Sequence, residues 1–304
     1  MKRGADEEVA GKRKTRQKKI KHTTPINIPV GSELCFCFPD GGSFAGVMKL
    51  IMLIRDDGNF KFTRDTISFV RSNSTRSILV DVVWKNKYVM IHGEPMDIPV
   101  AGFGFGVNLK DFHSMATRTL TKNDKFLIFF RKNDTVMFVE QVSYKTTGAS
   151  RNETPFENKH VPTKGFTTRI IGTKNNPNVV VRAEEFFIQI NLLYVAKYHH
   201  VIVECNKDGL RFTGANKDGD RKKSIIFTAA WETAEDEVAI HITNKKLKTL
   251  IHMRNISRGD SNIRIFFQHG MPLLFVCDMG PSDEIYGHFK LFLREEKKQN
   301  SQDD

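Results

Sequence analysis

The chain of 304 residues contains no run approaching the ~18 consecutive apolar residues that a membrane-spanning helix requires. Its opening, Met1-Lys2-Arg3-Gly4-Ala5-Asp6-Glu7-Glu8, has no apolar segment of the secretory type, so export by a signal peptide is not expected. Cysteine is scarce. Cys35 and Cys37 are two apart and would share one face of a strand, while Cys205 and Cys277 stand alone. Without a second close pair, neither a zinc site nor a disulfide framework is indicated, and all four read as reduced core thiols of an intracellular protein. Enzyme signatures are missing as well: there is no Gly-x-x-x-x-Gly-Lys-Ser/Thr loop, no Gly-x-Ser-x-Gly elbow and no His-Glu-x-x-His helix. Gly102-Phe103-Gly104-Phe105-Gly106 runs into Val107-Asn108-Leu109 without dinucleotide context, which favours a strand or loop ahead of a helix over a phosphate cradle. His199-His200 adjoin on an expected strand edge without partner ligands. Asp56-Asp57 and Glu184-Glu185 fall at helix ends, and the second pair suits a helical first turn. No catalytic residue, metal ligand or cofactor is expected.

What the chain has in excess is positive charge, 47 Lys+Arg against 35 Asp+Glu for a net +12. Residues 1–22 carry nine of the cations and three of the anions, half of the net charge, with no apolar periodicity. That composition predicts a tail without a core of its own, ending at Pro25 and Pro29. It reads as a nuclear-import signal (Lys12-Arg13-Lys14 with Lys18-Lys19), as a phosphate-binding arm, or as a solvated tail.

The most informative feature is internal. Ile128-Phe129-Phe130 through Phe138-Val139 reads against Ile265-Phe266-Phe267 through Phe275-Val276, 137 residues later, each an apolar pair broken by a polar turn and hence a β-hairpin. An amphipathic helix from Leu109 precedes the first hairpin, and Lys246-Leu247-Lys248-Thr249-Leu250-Ile251 precedes the second. Each half opens on another helix, with Phe44, Val47, Met48, Ile51 and Ile54 on one stripe and Phe186, Phe187, Ile190, Leu193 and Tyr194 on the other. Strands follow at 59–63, 66–70 and 78–84, and again at 201–205, 209–213 and 224–229. The predicted fold class is therefore α+β: a duplicated domain, each copy with two helices packed on antiparallel sheet. The expected limits are a basic tail at 1–30, domain 1 at 31–145, a Gly/Asn/Pro-rich connector at 146–178, domain 2 at 179–296 and a charged tail at 297–304. Ile170-Ile171 form an apolar spot on the connector of the kind that serves docking.

Cations lie on the helices. Lys245, Lys248 and His252 share one helical face, flanked by Lys246 and Arg254; Lys110, Ser114, Thr117, Arg118 and Thr121 form the equivalent face of the first half, and Lys49 adds to it. Cationic helices without a base-reading motif fit either sequence-independent phosphate contact or a plainly solvated surface.

Three segments give this pattern a family likeness over residues 32–296. Phe105-Gly106-Val107-Asn108-Leu109, Cys205-Asn206-Lys207-Asp208-Gly209-Leu210-Arg211-Phe212, and Pro272-Leu273-Leu274-Phe275-Val276 with Asp278-Met279-Gly280 and Gly287-His288-Phe289-Lys290-Leu291-Phe292-Leu293 resemble motifs of the proliferating cell nuclear antigen family of DNA sliding clamps. The resemblance implies a non-enzymatic homotrimeric ring around duplex DNA, acting as a polymerase processivity factor, set on DNA by a clamp loader and tethering replication and repair enzymes. It implies that Lys49, Lys110, Arg118, Lys245, Lys246, Lys248 and Arg254 line the hole. It further implies that edge strands near 224–228 and 135–139 join subunits, and that client helices dock on Ser72, Arg76, Leu79, Ile170, Ile171, Pro272, Phe292 and Leu293. Lys207 falls on the family's ubiquitin-attachment lysine. Departures stand beside the likeness: Ser72 where the family has an apolar Met, Arg294-Glu295 where it has Ala-Pro, Gln189 and Asn191 where it has basic residues, and a positive net charge. Such drift points to a divergent clamp, of the kind a large DNA virus carries, working in the nucleus or a viral replication compartment. The alternative is a monomeric or dimeric processivity subunit held on DNA without a ring.

Overall fold

In the computed structural model, the described residues are 28–295 apart from 86–89, 93–101, 122–123, 132–134, 146–147, 160–176, 207–208, 218–220, 229–237, 258–260, 268–269 and 281–284. The basic tail, Ile170, Ile171 and Lys207 lie outside them.

The first half runs β1 (Ser32–Phe38), α1 (Gly41–Met52), β2 (Asp57–Phe62), β3 (Thr66–Ser72), β4 (Ile78–Lys85), β5 (Met90–His92), β6 (Phe103–Asn108), α2 (Leu109–Phe112), β7 (Lys125–Arg131), β8 (Val136–Lys145) and β9 (Gly148–Glu157). The second runs β10 (Val179–Arg182), α3 (Ala183–Val195), β11 (His200–Asn206), β12 (Gly209–Ala215), β13 (Arg221–Thr228), β14 (Val238–Thr243), α4 (Asn244–His252), β15 (Asn262–Phe266), β16 (Leu273–Met279) and β17 (Gly287–Leu293). A π-helical turn, His113–Thr117, continues α2, and a 3-10 turn, Met253–Asn255, continues α4.

Both halves pair their strands in one pattern. β4-β3-β2-β6 matches β13-β12-β11-β14, and β1-β7-β8-β9 matches β10-β15-β16-β17; only β5, beside β1, has no counterpart among the described residues. The duplication predicted from the sequence is therefore present, but with two spacings. Buried Phe44, Val47 and Leu50 of α1 correspond to buried Phe187, Ile190 and Leu193 of α3, 143 residues later, and the same shift carries Phe69 onto Phe212 and Trp84 onto Phe227. The first strand of the hairpin keeps the shift of 137, as Ile128 onto Ile265, and the register then sets Phe275 of β16 where the first half has Val139 of β8, a shift of 136.

Aromatic residues build the core where these apolar stripes converge. Phe44 on α1 lies 4.6 Å from Phe126, 5.4 Å from Trp84 and 6.4 Å from Phe60, ring centre to ring centre. In the second half Phe186 meets Phe227 at 5.4 Å and Phe275 at 5.8 Å. Such pairs add ~0.5–1.5 kcal/mol each beyond their apolar burial. Asp40 caps α1, accepting from the Ser43 N–H and hydroxyl at 2.9 Å each, and Tyr286 of the second half donates to the same carboxylate at 3.3 Å. All four cysteines are buried and free. Burial pushes the Cys37 thiol up to about 12, against the pull of Lys125, and raises Cys205 and Cys277 as well, so these three carry no thiolate character at neutral pH.

The halves join through one antiparallel pairing, β4 against β17, from Ile78↔Leu293 to Trp84↔Gly287. It makes an eight-stranded sheet, β10-β15-β16-β17-β4-β3-β2-β6, across the whole chain. Two expectations change here. Residues 148–157, read from composition as connector, form the ten-residue strand β9 on the edge of the first-half sheet. The strand read as that edge, 135–139, lies inside it, because β8 pairs with both β7 and β9. Pro155 is tolerated because an edge strand has one side that needs no donor.

The chain leaving β9 then docks on β6. Gly106 N–H donates to Asn158 Oδ1 at 3.0 Å, and Lys159 N–H donates to the Gly106 carbonyl at 2.9 Å. A Cβ on Gly106 would stand 2.1 Å from the Lys159 carbonyl oxygen, whereas one on Gly104 meets nothing closer than 3.8 Å. Gly106→Ala is thus expected to cost ~1–3 kcal/mol in urea unfolding and Gly104→Ala under ~0.5 kcal/mol. Equal costs would contradict this docking.

Candidate nucleic-acid and partner interfaces

The four helices touch in the order α2, α1, α4, α3 and form one layer. Asn108 caps α2 by accepting from Lys110 and Asp111 N–H at 3.0 and 3.2 Å, which fixes Lys110 at the first turn. α4 sets Lys245 and Lys248 on its solvent side and buries Leu247 and Leu250. Exposed cations on the layer are Lys49, Lys110, Arg118, Lys245, Lys248 and Arg254.

Three of them meet across the junction of the halves. Lys49 of α1, Arg118 beyond the π-helical turn and Arg254 of the 3-10 turn line one cleft of about 590 Å³ with His113, Thr117, Thr121 and Asn255. The halves approach closely there, since a Cβ on Gly46 would lie 2.7 Å from the Asn255 carbonyl oxygen. Lys110 stands apart from this cleft, its ammonium 2.7 Å from Asp56 in an exposed pair of little energetic weight. Lys246 departs from expectation. It is buried, and its Nζ donates to the Arg294 carbonyl at 2.6 Å, so it ties α4 to the end of β17 and is not available to a phosphate.

Electrostatics across the cleft point the same way. Burial, then Lys49, then Arg118 hold His113 below its ordinary pKa; burial, then Lys49, then Lys248 do the same to His252. Both histidines are therefore neutral at pH 7. As pH falls below the unfolded value of about 6.5, the unfolded chain takes up protons before the folded one, and stability drops. A polyanion in the cleft reverses the local sign by favouring the imidazolium forms. Binding of a polyanion there is expected to take up protons and to tighten from pH 7.5 to 5.5, with His113→Gln, in the cleft lining, and His252→Gln, near Lys49 and Lys248, each flattening the profile. An affinity independent of pH would contradict this arrangement.

The opposite face of the eight-stranded sheet carries an apolar row. Ser72, Leu79, Phe292, Leu274 and Phe266 stand opposite one another on β3, β4, β17, β16 and β15. Leu79, Phe292, Leu274, Phe266 and Val276 pack as one cluster separate from the main core. Polar pairs border it: Lys290 lies 3.7 Å from Asp81, while Arg264 and His288 share Asp278 at 2.6 and 2.7 Å. Pro272 is half-buried ahead of β16, and Ser72 is buried at the end of the row. Arg76 is exposed in a turn with φ of 55°, a left-handed conformation uncommon for a residue with a Cβ. Leu293 is the second correction. On a strand its neighbour Phe292 faces outward, so Leu293 faces inward and belongs wholly to the main core. Sequence reasoning missed Leu274, Val276 and Phe266, although their alternation with Phe275, Cys277 and Ile265 marks a strand with two apolar faces.

His199, His200 and His241 gather at the start of β11, with ring centres of His200 and His241 5.3 Å apart; β11 lies inside its sheet, not on an edge. Among the described residues no group of His, Cys, Asp and Glu is arranged to hold a metal.

No family model matches the sequence, and no curated protein matches it. Solved structures do. The fold is similar to that of the proliferating cellular nuclear antigen of Entamoeba histolytica, with a TM-score of 0.67 at 11% identity over 86% of this chain and 98% of that one. It is similar as well to a chain of the PCNA2–PCNA3 complex of Sulfolobus tokodaii, with a TM-score of 0.65 at 14% identity and the same coverage, 86% and 98%. With its two matched halves, its continuous sheet and its single helical layer, this chain has the fold of the PCNA clamps.

Proposed function

We propose that the protein is a DNA sliding clamp: a non-enzymatic processivity factor that closes as a homotrimer around duplex DNA and tethers a polymerase and other replication and repair enzymes. One observation carries the reading. β4 and β17 pair within the chain, whereas their counterparts in the other half, β13 and β9, each end a sheet with one side unpaired among the described residues. A strand edge without a partner is a pairing site, and the two belong to different halves of the chain, so repetition of one contact can close a ring. Lys49, Arg118, Arg254, Lys245 and Lys248 then face the duplex as a layer that contacts phosphates and reads no bases. The apolar row of Leu79, Phe292 and Leu274 on the far face suits an amphipathic client helix with apolar anchors, with Ser72, Arg76 and Pro272 at its border. Ile170 and Ile171 as docking residues and Lys207 as an attachment lysine rest on the sequence resemblance alone, since all three lie outside the described residues.

A ring is held by topology, whereas a monomeric or dimeric basic subunit is held by charge alone. After loading on a nicked circular plasmid, the protein is expected to resist a wash in high salt until the plasmid is linearised. Equal loss from circular and linear DNA on that wash would favour the non-ring subunit.

A further inference from the structure

We propose that the apolar row on the sheet face away from the helices selects client helices whose apolar stripe is bordered by Asp and Glu. The inference rests on the reading of Leu79, Phe292 and Leu274 as a client surface, and it adds the charge that a client must carry beside its anchors.

Strand alternation sets what surrounds the row. Two residues along each strand, about 6.6 Å away, Arg264, Val276, Lys290 and Asp81 stand opposite one another on β15, β16, β17 and β4. Val276 packs with the apolar cluster, so Arg264 and Lys290 flank apolar surface directly. On the other side Arg294 follows Phe292 by two residues and is exposed, its N–H donating to the Ser77 carbonyl at 2.9 Å. Arg76 is exposed in the adjoining turn. Cations therefore border the row on both sides.

Carboxylates stand on the first border, but lower. Asp278 accepts from Arg264 Nη2 at 2.6 Å, and the same oxygen, Oδ1, lies 2.7 Å from His288 Nδ1. Side-chain exposure is 35% for Arg264, 30% for His288 and 23% for Lys290, against 16% for Asp278 and 7% for Asp81. The acidic groups hold the basic ones from beneath and leave the cationic heads outermost. Apolar burial in the row supplies affinity for any amphipathic helix, so it discriminates little. The cationic frame discriminates: it attracts a partner's carboxylates and repels its ammonium groups. A helix with lysine on either side of its stripe would set like charges against Arg264, Lys290 and Arg294.

Two synthetic amphipathic peptides with the same Ile/Phe stripe test this on the full chain, one with Glu and one with Lys at every position beside the stripe. In fluorescence anisotropy at about 0.05 M salt the Glu peptide is expected to bind about tenfold tighter or more, and the ratio to shrink below about threefold at about 0.5 M salt, where surface charges are screened. Arg264→Gln with Arg294→Gln, one cation from each border, is expected to bring the two peptides within about threefold at low salt. Leu79→Asp is expected to lose both peptides, which locates them on the row and not on the cations of the helical layer. Equal affinities for the wild-type chain at low salt, a tighter Lys peptide, or a Glu peptide still held by Leu79→Asp would each overturn the inference; equal affinities that Leu79→Asp abolishes leave the row standing as a client surface. Failure of both peptides to bind the wild-type chain removes the row and the inference together.

Discussion

A chain carrying Glu153→Cys and Ser224→Cys will become covalently linked to its neighbours when a short bis-maleimide is added, and either substitution alone will not. The expectation comes from transferring one register. Within the chain Lys290 of β17 stands opposite Asp81 of β4, with 3.7 Å between Nζ and Oδ2. The pairing of β8 with β9 and of β16 with β17 places Glu153 where the second half has Lys290. The pairing of β12 with β13 and of β3 with β4 places Ser224 where the first half has Asp81. If β9 of one copy meets β13 of the next as β17 meets β4, Glu153 and Ser224 are directly opposed, ~4.5–5.5 Å apart at Cβ. Both are exposed in the single chain, so neither substitution disturbs the core. Near-complete conversion of monomer to linked dimer and trimer in a denaturing gel is expected. A two-residue slip, tested by moving the second cysteine to Ile226 or Lys222, would leave the strand pairing intact but refute the transferred register.

The second large effect concerns DNA. Replacing Lys49, Arg118 and Arg254 by alanine together removes three converging cations from the cleft between the halves. Removing one phosphate-binding cation reduces the salt slope of binding to a duplex by about 0.9, so the slope should become shallower by about 2.7 for a copy that engages all three, and affinity near 0.15 M salt should fall about a hundredfold. The weakening should be the same for unrelated duplex sequences, because phosphates carry no sequence information. Lys246→Met is the informative contrast. Its ammonium is committed to the Arg294 carbonyl, so its removal should leave the salt slope unchanged and appear in stability instead. A slope unaltered in the triple variant would place the phosphate contacts elsewhere.

These cases also show what the residues alone can reveal. The duplication is legible because buried stripes and hairpins repeat in chemistry as well as in spacing: Phe44, Val47 and Leu50 find like partners in Phe187, Ile190 and Leu193. A single shift of 137 is too simple, since the first half has a longer connection, carrying β5, between β4 and β6 than the second has between β13 and β14. β9 is hidden because an edge strand tolerates the Gly148, Asn152 and Pro155 that mark a loop elsewhere. The burial of Lys246 is not legible, because it depends on a carbonyl 48 residues away at the end of β17. The inward side chain of Leu293 is legible from strand alternation; position-by-position resemblance sets Phe292 and Leu293 in one pocket, and the period of two separates them.

A common physical idea connects these results. The chain solves the problem of an open sheet edge once, internally, by pairing β4 with β17, and leaves the same two elements of the repeat open at its ends. Helices cover one face of both halves, so closure by repetition brings every cationic helix to the same side. Ile226 on β13, 56% exposed in the single chain, is apolar surface that such a pairing would bury.

The most direct measurement is the mass of the wild-type protein in solution, by light scattering across a concentration series. A mass near three times the 34.8 kDa of one chain is expected, persisting to low concentration and falling to one chain when β13 is broken by Ile226→Pro. A mass of 34.8 kDa at every concentration would contradict closure through the β9 and β13 edges.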